Sequence, residues 1–120
     1  MIVAHPVIDQ LVKAYNAGDA VAFSNLFSTN ASVYEHPCHL TQQTRQELLD
    51  YYIKVFVAYP ENQTQVLYRV ITGNRIIDHE RVQRGSEYKS FEVISIYELD
   101  SDGLICRLDF VRKDDDIAVV

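Results

Sequence analysis

Several side chains in this 120-residue chain could move or orient a proton, and their spacing limits how. His36 is a candidate general base, because an unperturbed imidazole titrates near pH 6.5; immediately before Pro37 it could equally cap the end of a strand. Tyr34 lies two residues earlier, on the same face of an extended segment, while Glu35 points to the other face. Tyr15 falls on an apolar helical stripe, so its hydroxyl either serves a cavity or finds a partner inside a core. Arg81 and Asp109 carry opposite charge on two later segments. Turned inward together they would form a buried pair able to orient a substrate or handle protons; otherwise they form a structural salt bridge or a solvated pair at a dimer interface. Tyr52, Phe56 and Tyr97 recur at apolar spacing that suits core packing as well as ligand contact. His36, Cys38 and His39 are crowded enough to suggest a metal, but a structural zinc needs four ligands, usually in two spaced pairs, and no second pair is present. Neither a metal nor a cofactor is expected. His79 and Glu80, adjacent on one extended segment, point to opposite faces and cannot act as a dyad.

The elements that must hold these groups follow from periodicity. A first helix is predicted over 6–17, with Pro6 in its first turn, a stripe of Val7, Ile8, Leu11, Val12 and Tyr15, and Gly18 as its stop. Asp19 is placed to cap a shorter second helix burying Val21, Phe23, Leu26 and Phe27. Residues 31–36 read as a short strand stopped by Pro37. A third helix starts at Thr44, where Thr44 and Glu47 make a capping box, and closes at Tyr59-Pro60. From Thr64 the chain turns rich in Val, Ile and Tyr, giving four strands at about 64–72, 75–84, 88–99 and 104–112. Gly73-Asn74, Gly85-Ser86 and the 100–103 segment are the turns, too short for crossovers, so these strands should be antiparallel. The run 113–116 reads as a solvated charged tail. On the strand at 75–84, Ile77, His79, Arg81 and Gln83 share one face and Ile76, Asp78, Glu80 and Val82 the other; parity does not say which is inside. On the last strand Ile105, Arg107, Asp109 and Val111 go together.

Three helices followed by a meander imply one α+β domain over 1–120: a cone-shaped, curved antiparallel sheet wrapped around the N-terminal helices, with an open mouth. At 120 residues such a chain can bury a core without disulfide or metal staples. A net charge of −6 with scattered Lys and Arg lacks the basic stripe of a nucleic-acid binder. No stretch is long and apolar enough to span a membrane, and no signal-peptide pattern opens the chain, which points to the cytoplasm and to reduced Cys38 and Cys106. The Val, Ile and Tyr on the sheet's outer side suggest a homodimer.

The string from Ile8 to Asp19, the segment from Asn30 to Pro37, and Tyr97-Glu98-Leu99 followed by Asp102-Gly103-Leu104-Ile105 resemble the nuclear transport factor two-like superfamily, in its SnoaL-like and ketosteroid isomerase-like branch. That resemblance implies a cystatin-like roll around a pocket for a small hydrophobic molecule. By likeness to ketosteroid isomerases, Tyr15 would donate to a developing oxyanion, Glu35 or His36 would be the base, and Ser95 stands where a protonated aspartate is expected. By likeness to limonene epoxide hydrolases, Tyr34 and His36 would hold a water, and Arg81 and Asp109 would face inward, with Gln83 replacing an acid and unable to shuttle a proton. The resemblance therefore implies Tyr15, His36, Arg81 and Asp109 as catalytic groups, with Tyr34, Tyr52, Phe56, Ser95 and Tyr97 around the ligand. The expected activity is acid–base isomerisation or cyclisation of a hydrophobic carbonyl compound. The alternative is a non-catalytic binding or dimerisation module of the same fold.

Overall fold

Cap residues decide where each helix begins. The computed structural model describes residues 2–113, so the charged run expected at 113–116 lies, beyond Lys113, outside the described residues. Helix α1 (Pro6–Asn16) starts where the His5 ring nitrogen accepts the Ile8 N–H at 3.4 Å. Its end is fixed by Gly18, whose φ of +66° suits a residue without a Cβ. Asp19 caps α2 (Ala20–Ser24), its carboxylate accepting the Ala22 N–H at 3.0 Å. Thr44 caps α3 (Arg45–Ala58) at a φ of +82°, rarely tolerated by a β-branched residue. Local bonds hold it there: its hydroxyl accepts the Glu47 N–H at 3.3 Å, and the Glu47 carboxylate accepts the Gln43 N–H at 2.9 Å. That carboxylate reaches one residue further back than in a capping box.

Six strands form one curved, unclosed sheet in the order β2-β1-β6-β5-β4-β3: β1 (Phe27–Glu35), β2 (His39–Gln43), β3 (Gln63–Thr72), β4 (Arg75–Gln83), β5 (Phe91–Leu99) and β6 (Ile105–Val111). The four strands of the second half pair antiparallel as expected. Two features were not legible. The His-Leu-Thr-Gln-Gln segment forms an edge strand although it is polar and almost wholly exposed, because the hairpin with β1 supplies its partners without any buried face. In addition, β6 lies beside β1 in parallel, joining the two halves of the chain into one sheet. The turn expected at Gly85-Ser86 is a longer connection, since β5 begins only at Phe91.

The helices cover the concave face. Ile8, Leu11, Phe27, Leu48, Ile76, Ile105 and Leu108 are at most 2% exposed and form the centre of the core. Each such side chain contributes about 1.5–3 kcal/mol by leaving water. Irregularities at Val33/Tyr34, Val66/Tyr68 and Glu98/Leu99 bend the sheet. The last also corrects the expected alternation of β6: Ile105 is fully buried, while Arg107 and Asp109 lie on the convex face, because the register shift re-phases the strand after its first residue.

Candidate active-site cavity

Burial along β4 settles which face lines the cone. Ile76, Asp78, Glu80 and Val82 are buried, whereas Arg75 and Arg81 are exposed and His79 half-buried. Arg81 therefore lies on the convex surface. It reaches Glu92 at 3.7 Å, with both side chains about half exposed, and Glu92 also meets His79 at 2.7 Å. Asp109 is on that same convex side, bonded to Arg107 at 2.9 and 3.2 Å, and the Arg107 guanidinium sits 4.0 Å above the Tyr34 ring. His36 is exposed past the end of β1. The expected inward Arg81–Asp109 pair does not form, and Tyr34 and His36 also lie outside the cavity. Pairing explains why they travel together: Tyr34 is the ladder partner of Asp109, and partners share a face.

The cavity is built instead from the opposite parity. Leu11, Val12 and Tyr15 of α1, Phe23 of α2, and Tyr51, Tyr52 and Val55 of α3 form one wall. Thr64 of β3, Glu80 and Val82 of β4, Val93, Ser95 and Tyr97 of β5, and Leu108 and Phe110 of β6 form the other. The cleft holds about 590 Å³ of space free of atoms, counted out to its open mouth. Of the expected ligand contacts, Tyr52, Ser95 and Tyr97 do line it, as does Tyr15, expected as a catalytic group. Phe56 does not: it packs behind the wall, its ring 5.4 Å from Tyr15 and 5.8 Å from Tyr52. Phe23 anchors the same aromatic cluster, 4.5 Å from Tyr52 and 5.5 Å from Phe27.

Glu80, assigned no role from sequence, is the acid of this cavity. Its carboxylate accepts from Ser95 Oγ at 2.5 Å and from Thr64 Oγ1 at 2.9 Å. Burial pushes its pKa up to about 7; the Ser95 bond works against this and the nearby Asp78 charge adds to it. The phenols around it stay protonated. Burial pushes Tyr51 up to about 12, and burial drives Tyr52 and Tyr97 well above the usual tyrosine range, with Glu80 and Asp78 adding to the effect at Tyr97. Each is a neutral hydrogen-bond donor at physiological pH.

Two guanidiniums line the cavity where β4 and β6 finish and β5 begins. Arg112 pairs with Glu35, Nη2 to Oε2 at 3.0 Å and Nε 2.9 Å from Oε1, both side chains being less than a tenth exposed. Of the two residues that could have held the base position on β1, Glu35 thus faces inward and His36 does not, but both Glu35 oxygens are engaged by Arg112. Arg84 bonds the Tyr15 hydroxyl and Asn62 Oδ1, each at 3.1 Å, and lies over the rings of Tyr59 and Phe91. Because the Tyr15 oxygen accepts from Arg84, its own proton is directed elsewhere. Chemically, the site offers one carboxyl able to gain or lose a proton near neutrality, several neutral phenols, and fixed positive charge in an apolar enclosure. Among the described residues, no three His, Cys, Asp or Glu side chains cluster as metal ligands would, and no helix is long and apolar enough to cross a membrane.

One signal in the sequence did favour the correct face of β4. The Ile76–Asp78–Glu80–Val82 parity carries two aliphatic residues, where the Ile77–His79–Arg81–Gln83 parity carries one.

Solved structures with this architecture come from several sources. An uncharacterized cystatin-fold protein from Novosphingobium aromaticivorans superposes with a TM-score of 0.83 at 18% identity, covering 89% of this chain and 96% of that one. SalBIII, an epoxide hydrolase/cyclase-like enzyme of pyran-ring formation in the polyether salinomycin, gives 0.78 at 13% identity, over 92% and 91% of the two chains. A protein with a ketosteroid isomerase-like fold from Catenulispora acidiphila, in complex with trimethylamine, gives 0.77 at 9% identity, over 90% and 85%. At these identities the likeness is one of fold. No curated protein matches the chain. The model of the SnoaL-like domain matches residues 8–108, which span both cavity walls from Ile8 in α1 to Leu108 in β6, and the chain therefore belongs to the SnoaL-like domain family.

Proposed function

We propose that the cavity binds a small hydrophobic carbonyl compound and that Glu80 moves a proton on it, in an isomerisation or cyclisation. The observation that carries this reading is a single one: a carboxyl that is 6% exposed, titrates at about 7 and opens onto an apolar cleft. A carboxyl tuned to neutrality can take an α-proton and return it elsewhere on the same molecule. Neutral phenols from Tyr15, Tyr51 or Tyr97 would donate to the oxygen on which charge develops, and the guanidiniums of Arg84 and Arg112 would favour that charge. Proteins that share the fold include an epoxide hydrolase/cyclase-like enzyme and one with a ketosteroid isomerase-like fold, in keeping with such chemistry.

A second reading has its own support. Both Glu80 oxygens are already bonded, to Ser95 and Thr64, and Glu35 is ion-paired with Arg112, which suits a binding module that turns nothing over. We further infer a homodimer, on the exposure of Tyr68, Val70 and Ile94 on the convex sheet face.

The test is α-proton exchange of a β,γ-unsaturated cyclic ketone in D₂O, followed by NMR. Catalysed exchange by the native protein, reduced on the order of a hundredfold or more in E80Q, supports the acid–base reading. Ligand binding by both proteins without exchange in either leaves the binding module.

A further inference from the structure

One buried charged cluster has no part in the reading above. Arg69 of β3 forks onto Asp78 of β4, Nε to Oδ1 at 2.7 Å and Nη2 to Oδ2 at 3.0 Å. Its remaining nitrogen, Nη1, reaches Asp9 of α1 at 2.6 Å and the Val3 carbonyl at 3.0 Å. The Arg69 and Asp78 side chains are at most 1% exposed, whereas that of Asp9 is half exposed. Two carboxylates thus share one guanidinium, leaving the cluster one negative charge in excess. Asp78 stands two residues before Glu80 on the same buried face of β4. Its ladder partner is Ser95, the residue whose hydroxyl bonds Glu80.

We propose that Asp78 is a positioning residue for Glu80: gripped by Arg69 on the buried face of β4, it sets a carboxylate two residues along the strand from the cavity carboxyl, where a like charge disfavours a second carboxylate. The proposal rests on the acid–base reading for its functional meaning, though not for its test. The charged and titratable groups around Glu80 explain why Asp78 is the one that matters. From β3 comes Arg69, which grips Asp78 and whose positive charge works against that of Asp78 at Glu80, but more weakly. From β5 comes Tyr97, a neutral phenol, as are Tyr15 of α1 and Tyr51 and Tyr52 of α3. Elsewhere on the cavity wall, Arg112 is matched by Glu35 of β1, and Arg84 is engaged with Tyr15 and Asn62. The remaining close partners of Glu80, Ser95 and Thr64, are hydroxyls that stabilise its ionised form. Burial and a like charge two residues along the strand therefore act together against two hydroxyl donors.

The experiment is a pH titration of glutamate side-chain carbons by ¹³C NMR, which reads the Glu80 proton directly with no substrate. In D78N the Glu80 midpoint is expected to fall by on the order of one pH unit. In S95A it should rise, because a donor to the ionised form is gone. Opposite movements are not what general loosening of the fold produces. Since D78N leaves Arg69 without its buried partner, R69M/D78L serves as a second variant that removes both charges; there the midpoint should fall by less. An unchanged Glu80 midpoint in the folded variants overturns the proposal. A lowered midpoint with no effect of E80Q on ketone exchange would uphold this role of Asp78 and sink the catalytic reading instead.

Discussion

Ser95 Oγ lies 2.5 Å from Glu80 Oε2, yet the two residues are not opposite one another in the sheet. Ser95 is paired with Asp78, and Glu80 with Val93, so the bond runs diagonally from β5 to the next rung of β4. Such diagonal neighbours are reached only by side chains long enough to lean along the strand, which a glutamate is. The lean brings Glu80 between Ser95 and Thr64, bonding it to both outer strands of the β3–β4–β5 unit. A buried carboxyl held this way has a definite orientation while remaining close to its proton-transfer point.

Stability should depend on pH through this residue. The Glu80 pKa is about 7 in the fold against a reference of 4.5, so between these values the folded state holds a proton that the unfolded chain has released. Its contribution is then fully present below about pH 4.5, declines as pH rises to about 7, and is level above, a fall of about 3 kcal/mol. E80Q should flatten this part of the profile and be relatively more stable than the native protein at pH 8. Urea unfolding midpoints at pH 5 and pH 8 measure it; an equal slope in both proteins would show that Glu80 does not titrate in this range.

Breaking the buried Arg112–Glu35 ion pair should be costly. R112M leaves Glu35 buried and unpaired, and a loss of about 3–5 kcal/mol is expected. E35L/R112M, which removes both charges, should recover most of that loss. Thermal unfolding of the two variants and E35L completes the cycle, and additive losses in the double variant would mean that the pair is not coupled.

Substitutions on the convex face should spare the cavity. The Arg81–Glu92 contact is solvent-exposed, so R81A should change stability by no more than about 0.5 kcal/mol and leave ligand affinity unchanged. Y68E, by contrast, places a charge on the apolar patch where Tyr68 stacks against His79, and should convert the proposed dimer to monomer without unfolding it. Sedimentation velocity reads the mass. A native protein that sediments as a monomer at high concentration would remove the patch from consideration as an interface.

Much of this protein was written locally and could be read locally. Helix starts at Pro6, Asp19 and Thr44 depend on residues within a few positions of each cap, and the strands at β3 to β6 on short runs of β-branched residues and their turns. The SnoaL-like resemblance is of the same kind, since the segments that carry it encode helix stops and hairpins. Tyr15, Tyr52, Ser95 and Tyr97 were legible as cavity residues on that basis. Which face of β4 would be inside was marked only faintly, by one extra aliphatic residue. Alternation gives two sets of residues but no sign, and the sign is set by which set the helices can cover once β5 and β6 are in register. That register depends on the seven-residue connection from 84 to 90 and on the irregularity at Glu98/Leu99, and neither is visible as a period. The tertiary structure therefore chose Asp78 and Glu80 over His79 and Arg81. It decided equally that Glu35 is turned inward against Arg112 while His36 stays exposed, because β6 lies parallel beside β1 and ladder partners must share a face. Sequence determined the elements and the family; the acid in the cavity, and the charge that holds its proton, exist only because strands far apart in the chain meet.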